Sequence, residues 1–144
     1  MRRIIAVTAL LLAGAGIAYA QEADPIETRQ AGQDLLGGDF AGIRAVVVAK
    51  GDVKTVEGPA KALARWIRQF PSQFPKGTEE GHNTKALPAI WSDPAGFKKA
   101  GDDMADAADK LAVAAKANDA DGVATQVKAV ADACGACHRT FRAK

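Results

Sequence analysis

The chain has 144 residues, of which 48% are hydrophobic and only 6% aromatic, and its formal net charge is +2. Arg2 and Arg3 lie in the first twenty residues, which contain no acid, so the rest of the chain is formally neutral. A neutral chain of this length suits one compact domain, and it has no net positive field to attract nucleic acid or an anionic membrane. Abundant alanine and few aromatics favour helices.

Residues 1–20 have the pattern of a cleaved signal peptide. The charged start at Arg2 and Arg3 is followed by a short apolar run and by Ala18-Tyr19-Ala20, an A-x-A cleavage site. The apolar run is too short to act as a membrane anchor. We therefore expect export to the periplasm, no membrane attachment after cleavage, and one mature domain over residues 21–144.

Four segments of the mature chain carry apolar side chains at alternating steps of three and four, which predicts four amphipathic helices. Asp24 and Asp93, each followed by a proline, are candidate N-caps, as are Asp119 and Asp121 before the last segment. Short connections and a three-four period predict an all-α, antiparallel (up-down-up-down) four-helix bundle. The four stripes are Ile26, Arg29, Gln33, Leu36, Phe40, Ile43, Val47; Val56, Ala60, Leu63, Ile67, Phe70; Phe97, Gly101, Met104, Ala108, Leu111, Ala115; and Val123, Val127, Val130, Cys134, Cys137, Phe141.

Only the connection from Pro71 to Ser92 is long, and it is rich in proline and glycine. An irregular connection of that length in a small domain is usually functional. We therefore expect it to contribute to a binding site.

The last predicted helix carries the motif Cys134-Gly135-Ala136-Cys137-His138, which is the attachment signature of c-type haem. Two thiols three residues apart share one helix face and can each form a thioether with a vinyl group of one porphyrin. His138 can then ligate the iron. These are the only cysteines in the chain, so we expect one covalent haem c.

Other readings of this motif fit less well. A disulfide between the cysteines would not require His138, and a thioredoxin-like site expects a preceding strand. A zinc site needs about four ligands, and His82 is the only other histidine in the chain. A haem-free thiol or interaction bundle would give a colourless protein.

The stripes place the haem in the bundle core near the C-terminal helix. Arg29 and Gln33 lie on the inward stripe of the first helix, and a buried arginine without a partner is costly. A haem propionate could pair with Arg29 through a charge-assisted bond. Alternatively, the helix start is frayed and the charge of Arg29 lies in solvent.

The motif, placed at the end of a four-helix pattern, resembles the cytochrome c′ family, the class II cytochromes c. The resemblance spans nearly the whole mature chain. Its anchors are Ile26-Glu27-Thr28-Arg29-Gln30, Phe74-Pro75-Lys76-Gly77-Thr78, Leu87-Pro88-Ala89-Ile90-Trp91 and Cys134-Gly135-Ala136-Cys137-His138-Arg139-Thr140-Phe141-Arg142.

The resemblance implies roles for several residues. Arg29 and Gln30 match a pair that contacts the haem propionates. Thr78 and Glu79 match a loop segment that approaches the haem edge. Arg142 matches a basic residue that packs near the proximal imidazole, which is that of His138 here.

The distal position departs from the family pattern. It is apolar in cytochromes c′, whose iron is five-coordinate and high-spin, and Met in the low-spin cytochromes c556. Here it is Gln33, whose amide could donate a hydrogen bond to a bound diatomic or hold a water. Gln33 could also swing outward and leave Leu36 over the iron.

The resemblance implies a binding protein and not an enzyme: a high-spin haem, ligated by His138, that binds nitric oxide or carbon monoxide and transfers some electrons. It also implies a homodimer through the first two helices and a redox protein as a possible partner. The alternative is a low-spin electron carrier of the c556 type. That alternative needs a sixth ligand, for which His82 is the candidate, since we expect Met104 to fill the core.

Overall fold

The computed structural model describes residues 23–144, so the predicted signal peptide lies outside the described residues. Within this range the chain is helical, with 3₁₀ turns at Val53–Val56 and Phe70–Gln73 on either side of the second helix. No β-strand is present in the described part, apart from an isolated bridge between Ala86 and Arg142. The helices are α1 (Pro25–Val48), α2 (Glu57–Gln69), α3 (Ala89–Ser92), α4 (Pro94–Lys116) and α5 (Ala120–Phe141).

Aspartate side chains define where the three longest helices begin. Asp24 accepts from the backbone N–H groups of Ile26 and Glu27 at 2.7 and 3.1 Å. Asp93 accepts from Gly96 at the start of α4. Of the two candidate caps for α5, Asp119 is the one used, because it accepts from the N–H of Gly122 at 2.9 Å. These carboxylates satisfy N–H groups that have no partner inside the helix.

The core lies where α4 packs between α2 and α5. Leu63, Leu111, Val123 and Val130 are at most 1% exposed, so they contribute fully to apolar burial. On α4, alanines allow the neighbouring helices to approach closely. These are Ala105, Ala108, Ala112 and Ala115. The four stripes predicted from spacing all face inward, and the predicted antiparallel four-helix bundle is confirmed.

The connection between α2 and α4 folds across one end of the bundle. We call residues 73–87 the strap. Its turns use a positive φ at Gly77 (89°) and Gly81 (108°), which glycine adopts without a Cβ clash. The strap is fixed to the end of α5 by the bond from Ala143 N to Lys85 O (2.8 Å) and by that from Leu87 N to Phe141 O (3.0 Å). It therefore closes the bundle end that carries the cysteine motif.

Candidate haem site

The cysteine motif lies on α5 and faces a cavity between α1 and α5. The cavity has a volume of about 800 Å³, within the range of roughly 300–1,000 Å³ typical of small-molecule and cofactor sites. Cys134, Cys137 and His138 all line it, as the helical spacing predicts. Its walls are largely apolar, with Phe40 from α1, and Phe70 and Phe97 on the α2 and α4 sides. The site can therefore take a flat, apolar group attached at one edge to α5.

The two cysteines of the motif are present as free thiols beside the cavity. Both cysteines are free and half-buried. Burial raises the pKa of each thiol above its ordinary value, and the nearby Cys134 adds to the effect at Cys137. A reduced cysteine can form a thioether with a vinyl group, whereas a cysteine in a disulfide cannot. Within residues 23–144, no group of three His, Cys, Asp or Glu side chains could hold a metal ion.

The surroundings of His138 favour the neutral form of its imidazole, which is the form that can ligate iron. Partial burial lowers the pKa of His138 below its ordinary value, and the positive charge of Arg142 lowers it further. A neutral imidazole offers a free nitrogen lone pair to a metal. Arg142 also lines the cavity, so the structure brings these two predicted site residues together.

The opposite wall of the cavity is formed by α1. Gln33 and Leu36 both line it, so both candidates for the distal position face the same space. The side-chain hydrogen bonds that α1 makes to the strap come from Arg29 and Gln30, not from Gln33. Gln33 thus lines the cavity, and its side chain forms no hydrogen bond to the described residues of the strap.

Arg29 is almost fully buried, at 3% exposure, which excludes the reading of a frayed helix start. Its Nη1 donates to Gln73 O (3.2 Å) and Thr78 Oγ1 (2.9 Å), and its Nη2 donates to Thr78 O (2.7 Å) and Thr84 Oγ1 (3.1 Å). The guanidinium also lies 4.4 Å from the centre of the Phe74 ring. Burial lowers the pKa of Arg29, but an arginine remains charged in proteins. Arg29 thus lines the cavity and fixes the strap to α1.

The other predicted contacts occupy different places. Gln30 lines the cavity and donates to His82 O at 2.9 Å. Thr78 reaches the site through Arg29, and neither Thr78 nor Glu79 is part of the cavity lining. Propionate contacts by Arg29 and Gln30, and an approach of Thr78 and Glu79 to the haem edge, therefore stay predictions.

The side chain of His82 is directed away from the cavity. Its Nε2 lies 3.4 Å from Asp24 Oδ2, and its Nδ1 lies 3.3 Å from Glu27 Oε1. His82 is not among the residues that line the cavity. In this arrangement it cannot supply a sixth ligand to iron.

Met104 and the tryptophans have packing roles. Met104 is 5% exposed, and its Sδ lies 3.8 Å from Cys134 Sγ, on the attachment side of the cavity. Trp91 Nε1 donates to Phe74 O and Pro75 O. The ring of Trp66 lies against Gly32 of α1.

Three polar residues at the site were not predicted from the sequence. Thr84 bonds Arg29, while Lys85 and Asp34 are exposed residues that line the cavity. Thr84 and Lys85 lie in an irregular segment, where no helical spacing predicts which side chains turn inward. The position of Asp34 next to Gln33 on α1 is the one signal that could have identified it.

Comparison with known proteins agrees with this site. The family model described as Cytochrome C′ matches residues 24–142. Cytochrome c′ of Rubrivivax gelatinosus is 37% identical over 129 residues, covering 88% of this chain and 99% of the relative.

The chain belongs to the cytochrome c′ family. Proteins of this family carry covalently bound haem c, and the residues present here fit that group: two free thiols, a neutral imidazole and an apolar cavity. Cys134 and Cys137 are consistent with the covalent attachment found in this family.

Further relatives show the range of this family. Cytochrome c-556 of Agrobacterium fabrum is 34% identical over 145 residues, covering 96% of this chain and 94% of the relative. A ferrous cytochrome c prime variant from Alcaligenes xylosoxidans with bound NO has a TM-score of 0.75 and 30% identity, covering 88% of this chain and 98% of that one. A cytochrome c′ with ligand-controlled dimer dissociation has a TM-score of 0.79 and 27% identity, covering 87% of this chain and all of that one.

Proposed function

We propose that this cytochrome c′ family member is a periplasmic gas-binding protein whose haem iron is high-spin, ligated by His138 and open on the α1 side. The observation that carries the proposal is the composition of the wall opposite His138. Gln33, Leu36 and Phe40 line it, and none of them has a side chain that ligates haem iron strongly. Bound haem supplies the iron that takes up a diatomic gas such as NO or CO.

Each group of site residues has its own role in this proposal. Cys134 and Cys137 would hold the haem through thioethers, and His138 would ligate its iron. The apolar walls would exclude water and leave the α1 side of the site accessible to a small uncharged ligand. Gln33 can donate its amide N–H to that ligand. The NO complex of the Alcaligenes relative supports gas binding here.

The proposal includes a periplasmic location and protein partners. The signal-peptide pattern of residues 1–20 supports a periplasmic location. None of the helices in the described range combines the length and apolar character that crossing a membrane requires. The relative with a dissociating dimer supports a homodimer, for which α1 and α2 are the proposed faces. Electron exchange with a redox protein is a second proposed role.

The alternative of a low-spin carrier is kept open by the similarity to cytochrome c-556. It requires a protein ligand in the place that we assign to the gas. Because His82 is held by Asp24 and Glu27, we expect His82→Ala to leave the optical spectrum unchanged. Conversion from a low-spin to a high-spin spectrum in that variant would establish the alternative.

The first test of the proposal is whether haem is covalently attached to the chain. The chain is expressed with its signal peptide in a host that matures c-type cytochromes, and the mass of the purified protein is measured. We expect the mass of the mature chain plus one haem, and stoichiometric uptake of one NO or CO per haem after reduction. Cys134→Ser/Cys137→Ser is the control, and we expect it to carry no covalent haem. A colourless wild-type protein of bare mature mass would refute the proposal.

A further inference from the structure

The mouth of the cavity has an asymmetric distribution of charge. The segments 81–92 and 133–144 contain no Asp or Glu, although acids and bases nearly balance over the whole chain. Backbone hydrogen bonds join these two segments, from Ala143 N to Lys85 O and from Leu87 N to Phe141 O. The cations of both segments therefore meet at one place, in a set that we call the basic rim: Lys85, Arg139, Arg142 and Lys144.

The basic rim borders the exposed side of the cavity, between α5 and the strap. Lys85 and Arg142 line the cavity and are exposed. The side chain of Arg139 lies along α5 beside Gly135, because its Nη1 is 3.4 Å from the position that a Cβ on Gly135 would take. Gly135 itself lines the cavity. Among residues 23–144, none of the four cations forms a salt bridge. The one carboxylate in the described lining, Asp34, lies on the α1 side of the mouth.

Three lysines elsewhere in the chain are paired with an acid on their own helix. Lys98, Lys99 and Lys128 each pair with an aspartate four residues later on the same helix. Such i,i+4 pairs cancel their own charge locally, so those helix faces carry little net field. Single cations such as Lys54 and Lys110 also form no salt bridge among the described residues. The basic rim differs from them because two bonded segments without acids bring four cations together, which favours an anionic partner.

We propose that the basic rim is the docking surface for a redox protein that presents carboxylates, and that electrons cross at this mouth of the cavity. This inference rests on the proposed function, because it requires bound haem. Charge complementarity speeds encounter and orients the partner. A partner docked on Lys85 and Arg139 would lie directly over the cavity opening, whereas a partner docked on α4 would be separated from the cavity by the core.

The test uses two small oxidants of opposite charge on the reduced holoprotein, ferricyanide (3−) and tris(phenanthroline)cobalt(III) (3+). In each reaction one electron leaves the ferrous haem, which becomes ferric, and the oxidant is reduced by one electron. Rates are measured by stopped flow at several ionic strengths. We expect the ferricyanide rate to fall with added salt and the cobalt rate to rise, since screening weakens attraction and repulsion alike.

Charge-reversal variants then show which surface causes the salt dependence of the rates. Lys85→Glu/Arg139→Glu is expected to slow ferricyanide about tenfold at low salt and to speed the cobalt complex. The matched control Lys54→Glu/Lys110→Glu changes the net charge by the same amount at exposed positions away from the mouth. We expect it to change either oxidation rate by less than about twofold. Equal responses of the two double variants, or a ferricyanide rate indifferent to salt, would overturn the docking surface.

Two further outcomes are distinguishable. Cosedimentation of the protein with phosphatidylglycerol vesicles, lost in Lys85→Glu/Arg139→Glu while ferricyanide shows no salt dependence, would assign the rim to a lipid surface and overturn a protein partner. A haem-free protein has no optical change to follow, so failure of the proposed function is recognised before any rate is measured.

Discussion

Arg29 and Thr78 are joined by two hydrogen bonds across 49 positions of sequence: Nη1 to the hydroxyl at 2.9 Å and Nη2 to the carbonyl at 2.7 Å. The buried guanidinium thereby fixes the strap to the first turns of α1. The strap is also bonded to the residues that follow His138. One segment thus connects the helix that carries Gln33 with the helix that carries the haem attachment motif.

Replacing Arg29 should release the strap. In Arg29→Met, the backbone and hydroxyl oxygens of the strap lose their donors, and we expect the free energy of unfolding to fall by about 2–4 kcal/mol. Amide hydrogen exchange over residues 76–85 should accelerate more than exchange in α4. The matched control is Arg44→Met, an exposed position on the same helix, where we expect a change within about 0.5 kcal/mol. Unchanged exchange in the strap of Arg29→Met would contradict the role given to Arg29.

Two glycines on α1 should respond to alanine in opposite ways. A Cβ on Gly32 would overlap the ring of Trp66, whereas a Cβ on Gly38 would meet nothing within 4 Å. We expect Gly32→Ala to destabilise the protein by about 1–3 kcal/mol through overpacking. Gly38→Ala should stabilise it by about 0.5–1 kcal/mol, because alanine restricts the unfolded chain and favours helix. Thermal unfolding of the two variants measures the difference, and equal effects would disprove the contact.

The core position Leu111 should be sensitive to truncation. Its side chain is 0% exposed between the neighbouring helices, so Leu111→Ala leaves a cavity and is expected to cost about 2–5 kcal/mol. Val113, two residues further along α4, is 69% exposed, and Val113→Ala should be nearly neutral. Denaturant unfolding followed by circular dichroism compares them. A small loss for Leu111→Ala would mean that α4 is not the central helix of the core.

Gln33 should slow the dissociation of a bound gas. If its amide donates to the ligand, Gln33→Leu removes a hydrogen bond worth roughly 1 kcal/mol, and gas dissociation should be about five- to tenfold faster. Haem attachment and the mass of the protein should be unaffected. Gln33→Asn serves as the control for a shortened amide. Dissociation rates identical to wild type in both variants would remove Gln33 from the mechanism.

The helices could be predicted from the sequence because their signals are local. The caps at Asp24 and Asp93 act within three residues, and the inward stripes follow from a fixed period. The grouping of Cys134, Cys137 and His138 is likewise contained in five consecutive positions. The partners of Arg29 could not be predicted in this way. They lie 44 to 55 positions away in an irregular segment, so the inward position of Arg29 followed from the helical spacing, whereas its hydrogen bonds did not.

The measurement that tests the account most directly is the optical spectrum of the exported protein, ferric and dithionite-reduced, before and after addition of carbon monoxide. An open side opposite His138 predicts a high-spin reduced spectrum that changes promptly when carbon monoxide binds. A low-spin reduced spectrum that is indifferent to carbon monoxide would contradict the account, because a protein side chain would then occupy the place assigned to the gas.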